Sequence, residues 1–91
     1  MTRDVELITK IAVSLDLWAT SVLPEGVIEK WLFSDGSRVE AGDPVAIVRI
    51  EEAMHELMAP ARGRLSIGLK VNSLIEPGMG IGVIVRQVPN V

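Results

Sequence analysis

The 91-residue chain has no cysteine and no tyrosine, one phenylalanine and two tryptophans. Without thiols it can build neither a disulfide framework nor a thiolate metal site, and nothing points to an oxidising compartment. With aromatics confined to Trp18, Trp31 and Phe33, it lacks the stacking platforms that single-stranded nucleic acids use. Nine basic residues are scattered among twelve acidic ones, for a net charge of −3. That removes the electrostatic footprint a phosphate backbone demands, so no nucleic-acid partner is expected. No apolar run approaches the roughly 20 residues that span a bilayer. The opening Met1-Thr2-Arg3-Asp4-Val5 has none of the apolar stretch of a secretion signal, so no membrane association and a cytoplasmic location are expected. Only one histidine is present, with no Gly-rich phosphate loop and no nucleophile beside an evident base, so the chain is expected to be non-catalytic.

What is present is strand pattern and turn punctuation. From Val5 to Leu17 the odd positions run Val5, Leu7, Thr9, Ile11, Val13, Leu15, Leu17 against Asp4, Glu6, Lys10, Ser14 and Asp16, which predicts a half-buried strand. Leu65, Ile67, Leu69 and Val71 alternate with Arg64, Ser66, Gly68 and Lys70 and predict another with one wet face. The runs Val45 to Ile50 and Ile81 to Val85 lack alternation and predict strands covered on both sides. Turns are expected at Ser34-Asp35-Gly36-Ser37, Ala41-Gly42-Asp43-Pro44, Ala59-Pro60-Ala61-Arg62-Gly63 and Glu76-Pro77-Gly78.

The two halves repeat. Val39-Glu40-Ala41-Gly42-Asp43-Pro44-Val45-Ala46-Ile47-Val48 lines up with Ile75-Glu76-Pro77-Gly78-Met79-Gly80-Ile81-Gly82-Val83-Ile84, an offset of 36 residues. Upstream, Gly26-Val27-Ile28 matches Gly63-Arg64-Leu65 with one residue of slippage. Two copies are too few for a solenoid, so the halves are expected to pair face to face about a pseudo-two-fold axis. This gives one all-β domain over residues 1–91, with its core over about 5–86. The joining segment, Arg49 to Met58, then protrudes at the end opposite the termini. Ile50, Ala53, Met54, Leu57 and Met58 also fall at helical spacing. About ten residues make only a marginal helix, however, and Ala59-Pro60 stops it at once, so a hairpin is expected, with Met54 and Met58 filling gaps beneath it.

Glu25-Gly26-Val27-Ile28-Glu29-Lys30-Trp31-Leu32, Asp35-Gly36-Ser37-Arg38-Val39-Glu40-Ala41-Gly42-Asp43-Pro44 and Ala59-Pro60-Ala61-Arg62-Gly63, in that order and spacing, resemble the lipoyl and biotinyl carrier domains. The likeness covers roughly residues 5 to 86 and is strongest to the lipoyl domains of 2-oxo acid dehydrogenase acyltransferases (dihydrolipoamide acyltransferases), which include relatives with a segment like Asp16-Leu17-Trp18. The resemblance implies a flattened barrel, a sandwich of two four-stranded antiparallel sheets with pseudo-two-fold symmetry, and it supports the hairpin.

In that family the protruding turn presents a lysine, in a pattern such as Asp-Lys-Ala, whose ε-amine is joined to lipoic acid or biotin. A gap-free register from Gly42-Asp43-Pro44 and from Ala59-Pro60 sets Glu51-Glu52-Ala53 on that pattern, so Glu52 occupies the lysine slot. A carboxylate cannot form the amide. The biotinyl pattern Glu-Ala-Met-Lys-Met offers a second register on Glu52-Ala53-Met54-His55-Glu56, which puts His55 at the slot but three residues too close to Ala59-Pro60. No lysine occurs between Lys30 and Lys70, and Lys10, Lys30 and Lys70 all fall on expected strands. Arg49 stands where many acyltransferase lipoyl domains carry an acidic residue used by the ligase. The expectation is a member that carries no cofactor and acts by protein contact with components of a 2-oxo acid dehydrogenase or related multienzyme complex, through Leu17, Trp18, Glu51, Glu52 and His55. The alternatives are a working swinging-arm carrier, and a purely structural module of a larger assembly. Glu52 reads equally as a solvated turn residue, and Trp18 as core packing. No metal site is expected of His55 with Glu51, Glu52 and Glu56, because adjacent strand positions face opposite ways.

Overall fold

The computed structural model describes residues 3–90. Eight strands follow in order: β1 (Arg3–Ala12), β2 (Gly26–Trp31), β3 (Arg38–Val39), β4 (Pro44–Ile50), β5 (Ala53–Met58), β6 (Gly63–Ile67), β7 (Leu74–Ile75) and β8 (Gly80–Asn90). A single 3-10 turn, Leu15–Trp18, interrupts them. They form two antiparallel four-stranded sheets, ordered β1-β8-β6-β3 and β5-β4-β2-β7, which pack face to face without closing into a barrel. No helix among the described residues is long and apolar enough to cross a membrane.

The repeat becomes a dyad. Exchanging β1, β2, β3 and β4 with β5, β6, β7 and β8 carries one sheet's order onto the other. The turn hydrogen bonds obey the same exchange. Gly36 N donates to Leu65 O and Asn72 N to Ile28 O, both at 2.8 Å, while Gly42 N donates to Ala59 O at 2.9 Å and Gly78 N to Val13 O at 2.8 Å. Gly42 and Gly78, 36 residues apart, sit at φ 90° and 83°, a left-handed conformation that glycine reaches without the Cβ clash other residues meet.

Between the sheets lies an aliphatic core: Ile11, Val13, Ile28, Val39, Val45, Val48, Ile50, Leu65, Ile75, Ile81 and Ile84 are essentially inaccessible. Each such side chain contributes about 1.5–3 kcal/mol by leaving water. The non-alternating runs do form the central strands β4 and β8, but their second faces are only half covered, at Ile47, Val83 and Val85.

Three expectations about local structure are corrected. The strand predicted from Val5 to Leu17 ends at Ala12. The register shifts between Ile11 and Ala12, and the Ser14 hydroxyl accepts from Asp16 N at 3.3 Å, opening the 3-10 turn. The Ser14 hydroxyl thus competes with the ladder for a backbone N–H. Val5 and Leu7 are exposed, because the β1–β8 ribbon runs on past the sandwich and stretches the molecule to 55 × 21 × 19 Å, and Leu15 is exposed in the 3-10 turn. The second predicted strand stops at Ile67. Gly68 N and Leu69 N both donate to Ile81 O, which bends the chain away, so Lys70 lies in an exposed turn rather than on a strand. The basic residues are also less scattered than their sequence suggests. Arg38, Arg64 and Arg86 line one groove of about 740 Å³ on the β3-β6-β8 face, and Arg62 joins Arg38 and Arg86 beside it.

Candidate functional site

β4 and β5 pair from Pro44↔Met58 to Ile50↔Ala53, which leaves a two-residue loop, Glu51–Glu52. Loops this short demand positive φ from at least one residue. Glu51 supplies it at φ 55°, a conformation that disfavours a side chain. The base of the hairpin is tied at Gly42–Ala59 and Asp43–Ala59, near Val39 and Gly63, the end past which β8 runs to the C-terminus. The tip therefore points away from the paired strand ends Arg3 and Asn90, as the sequence implied. The hairpin has replaced the helical alternative because its alternation is that of a strand: Leu57 is buried and His55 half-buried, while Met54, Glu56 and Met58 face out.

Three polar contacts fix the tip. Val22 N donates to Glu51 Oε2 at 3.0 Å, stitching the long connection between β1 and β2 to the hairpin. Arg49 Nη1 donates to the Glu51 carbonyl at 3.2 Å, and Arg49 Nε pairs with Glu29 Oε2 at 3.2 Å. Both members of that ion pair are nearly half exposed, so it contributes below about 1 kcal/mol and serves mainly to set the guanidinium against the turn. Glu51 and Arg49 are thus engaged in holding the tip. Glu52 and Ala53 are exposed, and the Glu52 carboxylate accepts no hydrogen bond among the described residues.

The structure separates the remaining candidates. His55 is set opposite Val48 on the strand, away from the turn, so only the gap-free register puts its slot on the tip. No three histidine, aspartate or glutamate side chains among the described residues come together as a metal site. Trp18 is 8% exposed and belongs to the core, with Leu17 packed against it, as the core reading has it. Trp31 is only half-buried, and its Nε1 donates to Leu69 O at 2.9 Å. Met54 and Met58 do not fill gaps: they are 54% and 49% exposed, being the outward positions of β5.

Beside the tip lies a feature that the sequence reading missed. Leu23, Val27 and Leu74 join Glu25, Arg49 and Glu51 around a shallow dent of about 180 Å³. Val22, Leu23 and Leu74 are 89%, 55% and 64% exposed. The only available signal was negative: Val22-Leu23 sits in a connection with no periodicity to bury it, and Leu74 lies on a two-residue strand.

The tip does not fit a covalent cofactor. Attachment needs an amine there, and the chain offers two carboxylates and a methyl group. Lys10 lies opposite Val83, Lys30 opposite Ile47, and Lys70 in the turn closed by Ser73 N on Lys70 O; none is at the hairpin loop.

Compared with known protein families, residues 19–84 match the biotin/lipoyl family, described as biotin-requiring enzyme. A search of curated proteins finds no match.

Proposed function

We propose that this chain, which belongs to the biotin/lipoyl attachment family of carrier domains, is an unmodified member that works through protein contact at its hairpin tip. The family carries lipoic acid or biotin covalently and works within multienzyme complexes. The observation that carries the proposal is Glu52, exposed at the loop where the family's lysine belongs, on a hairpin otherwise kept in register. Against the neighbouring Glu51, the dent formed by Leu23, Val27 and Leu74 offers apolar area that a partner can bury, and the Glu52 carboxylate offers a charge that selects a basic counterpart. The partner class is a protein component of a 2-oxo acid dehydrogenase or related acyl-transfer complex, and no catalytic step is assigned to the chain itself.

Intact-mass measurement after coexpression with lipoyl and biotin ligases tests this. The wild-type chain is expected to show its unmodified mass, and a lipoyl or biotinyl adduct at any residue refutes the proposal. Glu52→Lys is expected to gain the adduct, because the strands that present the loop are unchanged. If that variant stays unmodified, Arg49 or the fixed tip geometry also stands in the ligase's way, which Arg49→Glu in the same background then distinguishes.

One observation favours a second reading. Lys70 is exposed in a turn, so a swinging-arm carrier remains chemically open at that amine. Peptide mapping that finds an adduct on Lys70 selects the carrier.

A further inference from the structure

We propose that two copies of this chain associate through β1, paired antiparallel with itself across a two-fold axis at Ile8. β1 is the outer strand of its sheet, and its ten residues contrast with the two each of β3 and β7. Its ladder partner is β8 alone. Along the opposite edge, alternate residues direct N–H and C=O groups outward with no backbone partner among the described residues. Long free edges are what folded proteins ordinarily avoid. This one also carries Val5, Leu7 and Ile8, 37%, 49% and 64% exposed, with Ile8 on the face opposite the other two. Apolar side chains wet on both faces of such an edge are stabilised when another strand covers them.

Charge pattern selects the second copy and its register. In a dyad pairing, residues of like parity must oppose one another, because only alternate residues bond across a given edge. Centring on Glu6 sets two carboxylates together and Asp4 against Ile8. Centring on Leu7 sets Glu6 against Ile8. Centring on Thr9 leaves Lys10 against Ile8. With Ile8 on the axis, Ile8 meets Ile8, Leu7 meets the β-branched Thr9, and Glu6 meets Lys10 twice, so the charged central pairs are of opposite sign and no charge among them faces an apolar side chain. The antiparallel arrangement sends the two hairpin tips in opposite directions, and neither Glu52 is covered.

Strand pairing of this extent makes a weak dimer, so sedimentation velocity of the full chain over a concentration series is the measurement. Wild type is expected to move from monomer to dimer as concentration rises. Ile8→Lys, which sets two ammonium groups on the axis, is expected to weaken the dimer by about tenfold or more in dissociation constant with an unchanged circular dichroism spectrum. Should Ile8→Lys fail to fold, the charge pair decides. Lys10→Glu is expected to weaken association, and Glu6→Lys with Lys10→Glu to restore it. A wild type that stays monomeric to its solubility limit overturns the proposal, as does a dimer indifferent to both Ile8→Lys and Lys10→Glu.

Discussion

Glu51 is held in a conformation that its own side chain resists, and the two opposed effects can be separated by two substitutions. Its φ of 55° costs a residue with a Cβ about 1–2 kcal/mol relative to glycine, while glycine's greater freedom in the unfolded chain returns about 0.4–1 kcal/mol. Its carboxylate accepts from Val22 N at 3.0 Å, a contact contributing about 0.5–1.5 kcal/mol. Glu51→Ala keeps the strained Cβ and loses the hydrogen bond, so its stability is expected to fall by about 1 kcal/mol, or roughly 4–8 °C in Tm for a domain this small. Glu51→Gly loses the same bond but relieves the backbone, and is expected to melt within a few degrees of wild type.

Thermal unfolding followed by circular dichroism ranks the three proteins, and amide exchange at Val22 supplies the control. Both variants free that N–H, so both exchange it faster than wild type. An alanine variant more stable than the glycine variant refutes the left-handed turn, and with it the account of how the tip is presented. Equal protection of Val22 in all three refutes the stitch between the connection and the hairpin.

Gly63 is predicted to be among the least replaceable residues: its φ is +150° and an added Cβ would stand 2.5 Å from Val85 O. Gly63→Ala is expected to cost more than about 2 kcal/mol in denaturant unfolding. Its dyad counterpart Gly26, where the nearest atom would be 2.9 Å away and φ is not positive, is expected to lose less. The two tryptophans invert the usual rule that the more buried residue matters more. Trp18 Nε1 is buried without a partner among the described residues, so Trp18→Phe removes an unsatisfied donor along with some volume. Trp31→Phe strands the Leu69 carbonyl, and is expected to be the more destabilising change by about 1 kcal/mol. Equal losses in urea unfolding, or the reverse order, refute this.

Part of the fold was legible from repetition: a glycine-and-apolar pattern recurring after 36 residues implied two like halves about a dyad, while the two four-stranded sheets followed from the resemblance and the order of strands within them from neither. The long strand to Leu17 was misread because periodicity continues through Val13, Leu15 and Leu17 after the ladder has ended, and Ser14 and Asp16 take backbone bonds that no apolar count records. Lys70 was misplaced for a similar reason, since Gly68 bends the chain while the alternation runs on. The register of Glu51-Glu52 was legible from its flanks. What the turn does with Glu51 was not, because the Val22 contact joins residues 29 apart in a connection without pattern. Nor did the sequence reveal the dent at Leu23 and Leu74, because exposed leucines look like any others until the strands bring them together.

The contacts at the tip bear on which residue position 52 can hold. Glu51 and Arg49 secure the turn, and residue 52 is no part of the buried core, so a change at 52 disturbs neither. On the proposed reading a lysine at 52 would be the ligase's substrate, whereas glutamate leaves an exposed carboxylate on the loop whose Glu51 borders Leu23 and Leu74. Under the proposed reading, the two features divide recognition. Burying the leucines, at about 25 cal/mol per Å² of apolar area, supplies affinity. The single exposed charge governs encounter rate and partner choice. Leu23 and Leu74 therefore belong to the slow step of dissociation, Glu52 to the salt-dependent step of association, and a partner that binds this tip must answer both.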